Sequence, residues 1–506
     1  MNLHSLLNGL KYVVLQEVIS LKKIKIKGIT CHSKRVEYGD VFVCMDGQKM
    51  DGHDFMEEAH ERGAKAFVIE KMGKHGNLLE FPDDVTVVFV RDTREAYAVM
   101  AANYFGHPAE ALKIIGITGT KGKTTVAVMI HQMLEAAGNK AGLIGTLGIY
   151  DGEEWISTRN TTPDAFTIQE YFDKMKRKGC EYAVMEVSSQ GMKQKRVEGI
   201  VFYIAVFTNL GEDHVGPGEH ASLSEYRYYK SRLFHQCNIG IGNLDDIQIG
   251  YIFRRTTCKK YGFTCQDSAA RQDTFGKSNI LKAEQIQFLM EVGVPVTCFR
   301  VNDLFFRLQM PGMFNVYNAL AALLVMQCLG VDLREMVQVL YEVSVDGRME
   351  RIQCDKNIAC YIDYAHNGMS LQNVLLTFRM YQPKRILLVF GCGGNRAKSR
   401  RYEMGKAAAR FADIILLTTD NPRDENPDKI IREIAEGIDG QRQYKIVPDR
   451  REAVAEAVNM AKAGDIVIIA GKGHEKYQEI KGIRYYMDDH ELVREAMTGR
   501  KEKTQE

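Results

Sequence analysis

The sequence predicts an α/β protein in which helices cover the faces of parallel sheets, arranged in three domains. Short apolar runs alternate with helical patterns along most of the chain, and this alternation is typical of parallel sheets. At ~100–200 residues per domain, a chain of 506 residues has room for about three domains. The alternation stops near Val345–Arg348 and then restarts, which indicates a late domain boundary.

The first domain, residues 1–108, is predicted to be a small α/β unit. Ala66–Ile69 and Val85–Val90 are short apolar runs of the kind that form strands, and Phe55–Arg62 has a helical pattern. His107-Pro108 provides a break before the next domain.

The central domain, residues 109–345, opens with an apolar run at Leu112–Thr118 that ends in a glycine-rich turn. A helical pattern follows over Lys123–Ala137, and Tyr182–Val187 and Tyr203–Thr208 are further candidates for buried strands. This order predicts a mostly parallel sheet.

The third domain, residues 346–506, repeats the alternation and is predicted to be Rossmann-like. Its predicted strands are Ile386–Phe390, Ile414–Thr418 and Ile466–Ala470. Helical patterns separate them at Tyr402–Phe411, Pro427–Gly437 and Arg450–Ala463.

Three residues of this domain each follow a predicted strand closely: Gly391, Asp420 and Gly471. Ligands of open α/β sheets bind beyond the carboxyl ends of the strands. We therefore expect these residues to face one crevice, although they are far apart in the sequence.

The composition excludes several classes of protein. The hydrophobic fraction of 45% and charged fraction of 26% are ordinary for a globular chain. A net charge of +2 provides no strong field for nucleic acid or anionic membrane.

Met1–Ile24 lacks the pattern of a signal peptide, and no apolar run approaches the ~20 residues that span a bilayer. The 11 scattered cysteines favour a reducing compartment. We expect a cytoplasmic monomer without membrane insertion.

The strongest motif is the phosphate-loop segment Gly116–Thr125, which follows a predicted strand and opens a helix. Its glycines let backbone N–H groups surround phosphate oxygens, and the helix N-terminus adds positive potential. Lys123 is placed to reach the outer phosphates and Thr124 to hold Mg²⁺. The strict pattern has a glycine where Ile117 stands, with glycines at 116 and 119 instead. The motif predicts nucleotide binding but not the reaction, because kinases, GTPases, motors and ligases all use it.

Further segments of the chain resemble the motifs of one protein family and occur in the same order as in that family. They are Gly39–Val43, Asp51–Phe55, Asn160–Asp164, Glu186–Ser189, Thr208–Leu210, Asp213-His214, Tyr229–Phe234, Phe314–Ala322, Gly347–Glu350 and Asp363–His366. With Thr118–Thr125, this ordered set resembles the Mur ligases, ATP-dependent enzymes that form an amide through an acyl phosphate. The first two segments are similar to the uridine-binding domain of the MurE group within that family.

The resemblance implies which residues bind the nucleotide and metal. ATP would lie on the phosphate loop, with its base near Asn315 and Asn318, and Arg348 and Asp363 would close onto it. The implied loop contacts are Gly119, Thr120, Gly122, Lys123, Thr124 and Thr125. One Mg²⁺ would be held by Thr124 and Glu186, and a second by His214 and a carbamylated Lys230. Lys123, Glu186, His214 and Lys230 are the implied catalytic residues.

The resemblance also implies the substrates, a UDP-linked muramoyl dipeptide and a diamino acid. The implied acceptor-side residues are Ser33, Thr161, Thr162, Ser188 and Arg196. Asp420-Asn421-Pro422-Arg423 matches the signature associated with meso-diaminopimelate. Arg423, suited to bidentate binding, and Arg396 would bind carboxylate, and Glu475, beside Gly471, would hold the distal ammonium. Lysine remains an alternative amino acid.

Some positions depart from the family pattern. Gln190 stands where His is usual, Ala397 where Asp is common, His32–Lys34 replaces Asp-Ser-Arg, and Val215–His220 differs from the usual run. These changes affect the acceptor side more than the ATP side. Three alternatives therefore stay open: a related ligase with another acceptor, such as a folylpolyglutamate-type enzyme, a regulatory or motor NTPase, and a catalytically inactive binding protein.

Overall fold

The structure, a computed structural model, describes residues 1–498 except 48–49, 75–76, 79, 212–215, 217–218, 268–274, 354–357, 439 and 441. The described residues fall into two compact units. The first is drawn from Met1–Phe263 and Ser268–Ile280, and the second from Thr264–Asp267 and Leu281–Glu506.

The first unit begins with a five-stranded sheet in the order β1-β7-β4-β3-β2, in which β1 is antiparallel to β7 and the other pairs are parallel. Its elements are α1 Leu3–Leu6, β1 Tyr12–Gln16, β2 Ile29–Thr30, β3 Val41–Val43, α2 Met56–Glu61, β4 Ala66–Ile69, β5 Gly73–Lys74, β6 Asn77–Leu78, β7 Thr86–Val90 and α3 Thr93–Phe105. Strands β5 and β6 form a separate pair. The strands β3 and β4 are buried on both faces, which explains their continuous apolar sequences.

A nine-stranded sheet follows in the order β11-β10-β9-β12-β8-β13-β14-β15-β16. Its elements are β8 Lys113–Thr118, α4 Lys123–Ala136, β9 Ala141–Gly145, β10 Gly148–Tyr150, β11 Trp155–Ile156, α5 Ala165–Arg177, β12 Tyr182–Glu186, α6 Ser189–Lys193, β13 Phe202–Phe207, α7 Leu223–Arg232, β14 Cys237–Asn243, α8 Ile249–Ile252, β15 Lys259–Thr264 and β16 Ile280–Lys282. Strand β8 is central and pairs in parallel with β12 and β13. The phosphate-loop segment therefore begins at the carboxyl end of a buried strand.

The second unit contains a three-stranded antiparallel sheet, two helices that follow it, and a six-stranded sheet in the order β20-β21-β25-β22-β23-β24, together with further helices and the separate strand pair β26-β27. Its elements are β17 Glu284–Glu291, β18 Val294–Val301, β19 Leu304–Leu308, α9 Met313–Cys328, α10 Met336–Glu342, β20 Glu350–Ile352, β21 Ala359–Asp363, α11 Gly368–Arg379, β22 Ile386–Phe390, α12 Ser399–Phe411, β23 Ile414–Leu417, α13 Pro427–Ala435, β24 Tyr444–Ile446, α14 Arg450–Met460, β25 Ile466–Ala470, β26 Tyr477–Ile480, β27 Ile483–Tyr486 and α15 Asp489–Thr498. All neighbours in the six-stranded sheet are parallel except β20 with β21.

The predicted α/β class is confirmed, and the predicted strands and helices are present with small differences at their ends. The strand expected at Tyr203–Thr208 spans Phe202–Phe207, and the helix expected from Tyr402 begins at Ser399. Side-chain caps explain where several of the helices begin. Asp164, for example, accepts a hydrogen bond from the backbone N–H of Thr167, which satisfies one of the unpaired donors of the first helical turn.

The domain boundaries after residues 108 and 345 stay predictions. No helix in the described part of the chain is long and apolar enough to cross a bilayer.

Candidate functional site

The phosphate loop connects β8 to α4 in a conformation that depends on glycine. Gly119 has φ 156° and Gly122 has φ 87°, and a Cβ on Gly119 would lie 1.9 Å from Thr208 Oγ1. Lys123 Nζ donates to the carbonyls of Gly119 (2.8 Å) and Thr120 (3.1 Å). Lys123, which was predicted to reach the outer phosphates, therefore contacts the backbone of the phosphate loop itself.

Thr124 and Glu186 meet beside this loop, as predicted. Thr124 Oγ1 donates to Glu186 Oε2 over 3.0 Å, and Glu186 Oε1 accepts from the backbone N–H of Thr146 over 2.8 Å. Both side chains are buried. Since β12 ends at Glu186 opposite Ile117 of β8, the parallel register brings the carboxylate to the edge of the sheet that carries the loop.

Lys230 on α7 is also part of this region. Its side chain is buried, and Nζ donates to the Gly119 carbonyl over 2.7 Å. Two lysines, Lys123 and Lys230, therefore donate to one carbonyl oxygen. His214, the other ligand predicted for a second metal ion, lies outside the described residues.

Two residues of this region were not predicted from the sequence. Tyr226 lies one helical turn before Lys230, with its ring 4.4 Å from Lys230 Nζ, and its hydroxyl donates to Thr120 Oγ1 over 3.1 Å. The four-residue spacing on one helix could have indicated this neighbour. His220 is fully buried, with Nε2 2.9 Å from Ser189 Oγ; the sequence contained no comparable signal for it.

Four of the five predicted acceptor-side residues lie around Glu186 in the first unit. Thr162 Oγ1 donates to the Glu186 carbonyl (2.9 Å) and lies 3.0 Å from Ser188 Oγ. Arg196 Nη1 donates to the Thr162 carbonyl. Thr161 Oγ1 lies 3.0 Å from the hydroxyl of Thr146, which itself contacts Glu186.

Ser33, the fifth acceptor-side residue, lies elsewhere in the same unit. It begins the short 3₁₀ turn Ser33–Arg35, next to the five-stranded sheet.

In the second unit, one crevice collects all six residues that were predicted to bind the amino acid: Arg396, Asp420, Asn421, Arg423, Gly471 and Glu475. It lies beyond the carboxyl ends of β22, β23 and β25. A Cβ on Gly471 would lie 2.4 Å from Asp420 Oδ2 and 3.8 Å from the Gly391 carbonyl. The expectation that Gly391, Asp420 and Gly471 face one crevice is therefore confirmed for Asp420 and Gly471, which line it, and Gly391 lies next to them.

The charges of the crevice are of both signs. Arg396, Arg400, Arg401 and Arg423 line it together with Asp420 and Glu475. Arg401 is paired with Glu425 and Glu433, so its charge is balanced on the side away from the crevice.

Arg423 is held in place by neighbouring backbone. It has a left-handed backbone, with φ 51°, which is uncommon for a residue with a Cβ. Its N–H donates to the Glu479 carbonyl (3.0 Å), and Nη1 donates to the Gly394 carbonyl (2.7 Å). Groups of the protein alone therefore orient the guanidinium of Arg423.

Four predicted nucleotide contacts also belong to the second unit. Asn315 Nδ2 donates to the Pro311 carbonyl (2.9 Å), and Asn318 Nδ2 donates to Asn315 Oδ1 (3.0 Å). Asp363 accepts from the backbone N–H groups of Met349 and Ala365, each over 2.8 Å. Arg348 lies with its guanidinium carbon 5.1 Å from the centre of the Tyr364 ring.

Two histidines flank the ring of Tyr364, with centroid distances of 4.8 Å for His366 and 5.1 Å for His474. Burial lowers the pKa of both, and Arg348 adds to this effect at His474, whose pKa falls to about 4. Both imidazoles are therefore neutral near pH 7.

The chain is thus an α/β protein with a phosphate loop in its first unit and a crevice lined by charges of both signs in its second unit. Three regions match Mur ligase domains: residues 25–105 match the Mur ligase family catalytic domain, 117–326 the middle domain, and 347–473 the glutamate ligase domain. The chain belongs to the Mur ligase family and is an ATP-dependent ligase. The alternative of a regulatory or motor NTPase is therefore wrong.

Individual proteins give a more detailed comparison. The UDP-N-acetylmuramoyl-L-alanyl-D-glutamate–2,6-diaminopimelate ligase of Clostridium perfringens is 36% identical over 503 residues, covering 99% of this chain and 100% of that protein. The enzyme of the same name from Caldanaerobacter subterraneus is 38% identical, covering 98% and 99%. A solved structure of a ligase of that name superimposes with a TM-score of 0.67 at 29% identity, covering 97% of this chain and 99% of the other.

Proposed function

We propose that this enzyme joins meso-diaminopimelate to UDP-N-acetylmuramoyl-L-alanyl-D-glutamate in peptidoglycan synthesis, with ATP and Mg²⁺. The similar enzymes carry this activity in their names. The observation that carries the proposal for this chain is the crevice of the second unit, where arginines and carboxylates converge. A cytoplasmic location and a monomeric state are part of the same proposal.

The crevice suits the far end of diaminopimelate because that end is itself an amino acid, with one carboxylate and one ammonium group. Arg423 and Arg396 provide donors for the carboxylate, and a guanidinium can bind it with two parallel hydrogen bonds. Asp420 and Glu475 provide acceptors for the ammonium. Lysine has an ammonium group at its far end but no carboxylate there, so it would provide no carboxylate for Arg396 and Arg423 to bind.

On the nucleotide side, Lys123 would contact the outer phosphates, within the loop formed by Gly119, Thr120, Gly122 and Thr125. Thr124 and Glu186 would hold Mg²⁺, since a hydroxyl and a carboxylate 3.0 Å apart are hard oxygen ligands of the kind this ion prefers. Bound there, Mg²⁺ would neutralise phosphate charge. Asn315, Asn318, Arg348 and Asp363 stay the nucleotide contacts that the family resemblance implies.

Lys230 fits the proposed carbamate because of its surroundings. An unmodified Lys230 places a second ammonium group at the Gly119 carbonyl, which already accepts from Lys123. Two positive charges that share one carbonyl oxygen repel each other. Carbamylation would convert Lys230 into an anion and a ligand for a second Mg²⁺, shared with His214.

The reaction would form an acyl phosphate and then an amide. A carboxylate oxygen of the acceptor glutamate attacks the γ-phosphorus, and the bond to the ADP oxygen breaks. The amine of diaminopimelate then attacks the acyl carbon, loses a proton and expels phosphate. Lys123 offsets charge on the transferred group. Thr161, Thr162, Ser188, Arg196 and Ser33 would bind the acceptor.

Mass spectrometry of the products tests this proposal. The enzyme is supplied with UDP-muramoyl-dipeptide, ATP, Mg²⁺ and an equimolar mixture of meso-diaminopimelate, lysine and ornithine. We expect one new amide that contains diaminopimelate, and one ADP per amide. A lysine product would contradict the amino-acid assignment, and ADP formation without any amide would contradict the ligase reaction.

A related ligase acting on another carboxylate acceptor is the second candidate. It is favoured by Gln190, which replaces the usual histidine and whose buried Nε2 makes no hydrogen bond to the described residues. A screen of carboxylate acceptors in the presence of diaminopimelate, with phosphate release as the signal, separates the two candidates.

A further inference from the structure

Lys472 is a fully buried cation directly behind the crevice. Its side chain has no exposed surface. Its Nζ donates to Asn421 Oδ1 over 3.1 Å and to the Tyr477 carbonyl, and lies 3.8 Å from Glu475 Oε2. Removing an ammonium group from water costs several kcal/mol unless partners compensate. A lysine in this position therefore calls for a specific role.

The side chain of Asn421 is largely occupied by protein groups. Its Oδ1 accepts from Lys472 Nζ and from the N–H of Glu479 (2.9 Å), and its Nδ2 donates to Glu475 Oε2 (2.8 Å). An asparagine side chain can make about four hydrogen bonds in total. With three of them made inside the protein, at most one remains for a substrate.

Lys472 and the backbone N–H of Glu479 together determine which way this amide points. An ammonium group only donates hydrogen bonds and a carboxylate only accepts them. The amide oxygen must therefore face Lys472, and the amide N–H₂ must face Glu475. The flipped form would place the amide N–H₂ against the Nζ of Lys472 and the N–H of Glu479, and the amide oxygen against the carboxylate of Glu475.

Glu475 is held from a second side by Tyr364, whose hydroxyl lies 3.4 Å from Oε1. Burial raises the pKa of Tyr364 to about 12, so the hydroxyl keeps its proton and remains a donor at neutral pH. Both carboxylate oxygens of Glu475 are thus oriented before a ligand binds, which lowers the cost of ordering them on binding.

We propose that Lys472 is a positioning residue that fixes Glu475, through Asn421, in the orientation that receives the distal ammonium of the amino-acid substrate. This inference rests on the proposed function, because it concerns the same crevice. It assigns selectivity for the distal ammonium to a residue that does not touch the substrate. Asn421 accordingly acts first as a link between Lys472 and Glu475.

The test compares Lys472→Met with the wild type on two substrates, meso-diaminopimelate and 2-aminopimelate, which lacks only the distal amine. We expect the KM for diaminopimelate to rise about 10- to 100-fold, the range for a lost hydrogen bond to a charged group. The KM values for ATP and the dipeptide should stay unchanged. The preference for diaminopimelate over 2-aminopimelate should fall by the same factor.

Two further variants separate positioning from a general effect on the fold. Lys472→Gln keeps an N–H₂ donor and should recover part of the preference. Lys476→Met removes an exposed lysine of the same loop and is the matched control. If Lys472→Met does not fold, as judged by thermal unfolding, Asn421→Ala provides the test, since it breaks the link while Lys472 remains and should lose the preference to a similar extent.

The possible outcomes are distinct. A wild-type enzyme that does not use diaminopimelate would overturn the proposed function and this inference with it. A selective wild type whose Lys472→Met variant keeps the full preference would overturn the positioning role alone. Addition of Glu475→Gln to Lys472→Met should cause no further loss of preference, and a fully additive loss would also refute the link.

Discussion

His490, near the start of the final helix, contacts two carboxylates at once. Its Nδ1 lies 2.7 Å from Asp488 Oδ1 and its Nε2 2.7 Å from Glu350 Oε2. Glu350 Oε2 also accepts from the N–H of Gly347 over 2.8 Å. The histidine therefore connects the last helix to the segment where the sequence indicated a boundary. Burial alone lowers the pKa of His490, but the hydrogen bonds to Asp488 and Glu350 outweigh it and raise the pKa to about 10.

The stabilisation follows from this raised pKa. The folded state binds the proton more tightly than the unfolded state, so the full contribution exists below the unfolded pKa of about 6.5 and is lost as the pH rises through about 10. Each pH unit in this window changes the contribution by about 1.4 kcal/mol, which sets an upper limit of about 5 kcal/mol. For His490→Asn we expect a loss of about 3 kcal/mol at pH 7, within the range for breaking a buried ion pair.

The assay is urea unfolding followed by circular dichroism at pH 7 and at pH 9.5. The difference between the wild type and His490→Asn should shrink by more than half at the higher pH, because pH 9.5 lies close to the folded pKa of about 10 and most of the window over which the contribution is lost has then been crossed. His107→Asn, at an exposed position in the first unit, controls for the loss of one imidazole. An equal difference at both pH values would refute the reasoning.

Three further predictions concern catalysis. Lys230→Ala should lower phosphate release at least about 100-fold, and added bicarbonate should not restore it; near-normal turnover would exclude the carbamate. Arg423→Ala should raise the KM for diaminopimelate about 10- to 100-fold while leaving the KM for ATP unchanged, and an unchanged KM for diaminopimelate would remove its assignment. Glu186→Gln should raise the Mg²⁺ concentration needed for half-maximal ADP formation by about tenfold or more, whereas an unaltered Mg²⁺ titration would place the metal elsewhere.

The amino-acid sequence alone was sufficient for the features that depend on local pattern. Continuous apolar runs such as Ile386–Phe390 and Ile466–Ala470 coincide with strands, because strands buried on both faces leave no place for polar residues. The meeting of Asp420 with Gly471 was also predictable, because the carboxyl ends of the parallel strands of one sheet lie at the same edge. The ends of helices were less predictable, since a helix can extend into polar residues, as at Ser399, when nothing stops it.

Only the tertiary structure determined which side chains share a partner. Lys230 reaches the Gly119 carbonyl across 111 positions of sequence, and His490 reaches Glu350 across 140. Lys472 looked like any lysine in a glycine-rich loop, yet packing removes it entirely from water. Whether a charge is exposed or buried depends on residues contributed by other strands and helices, and it is burial that gives a charge its large effect on binding and stability.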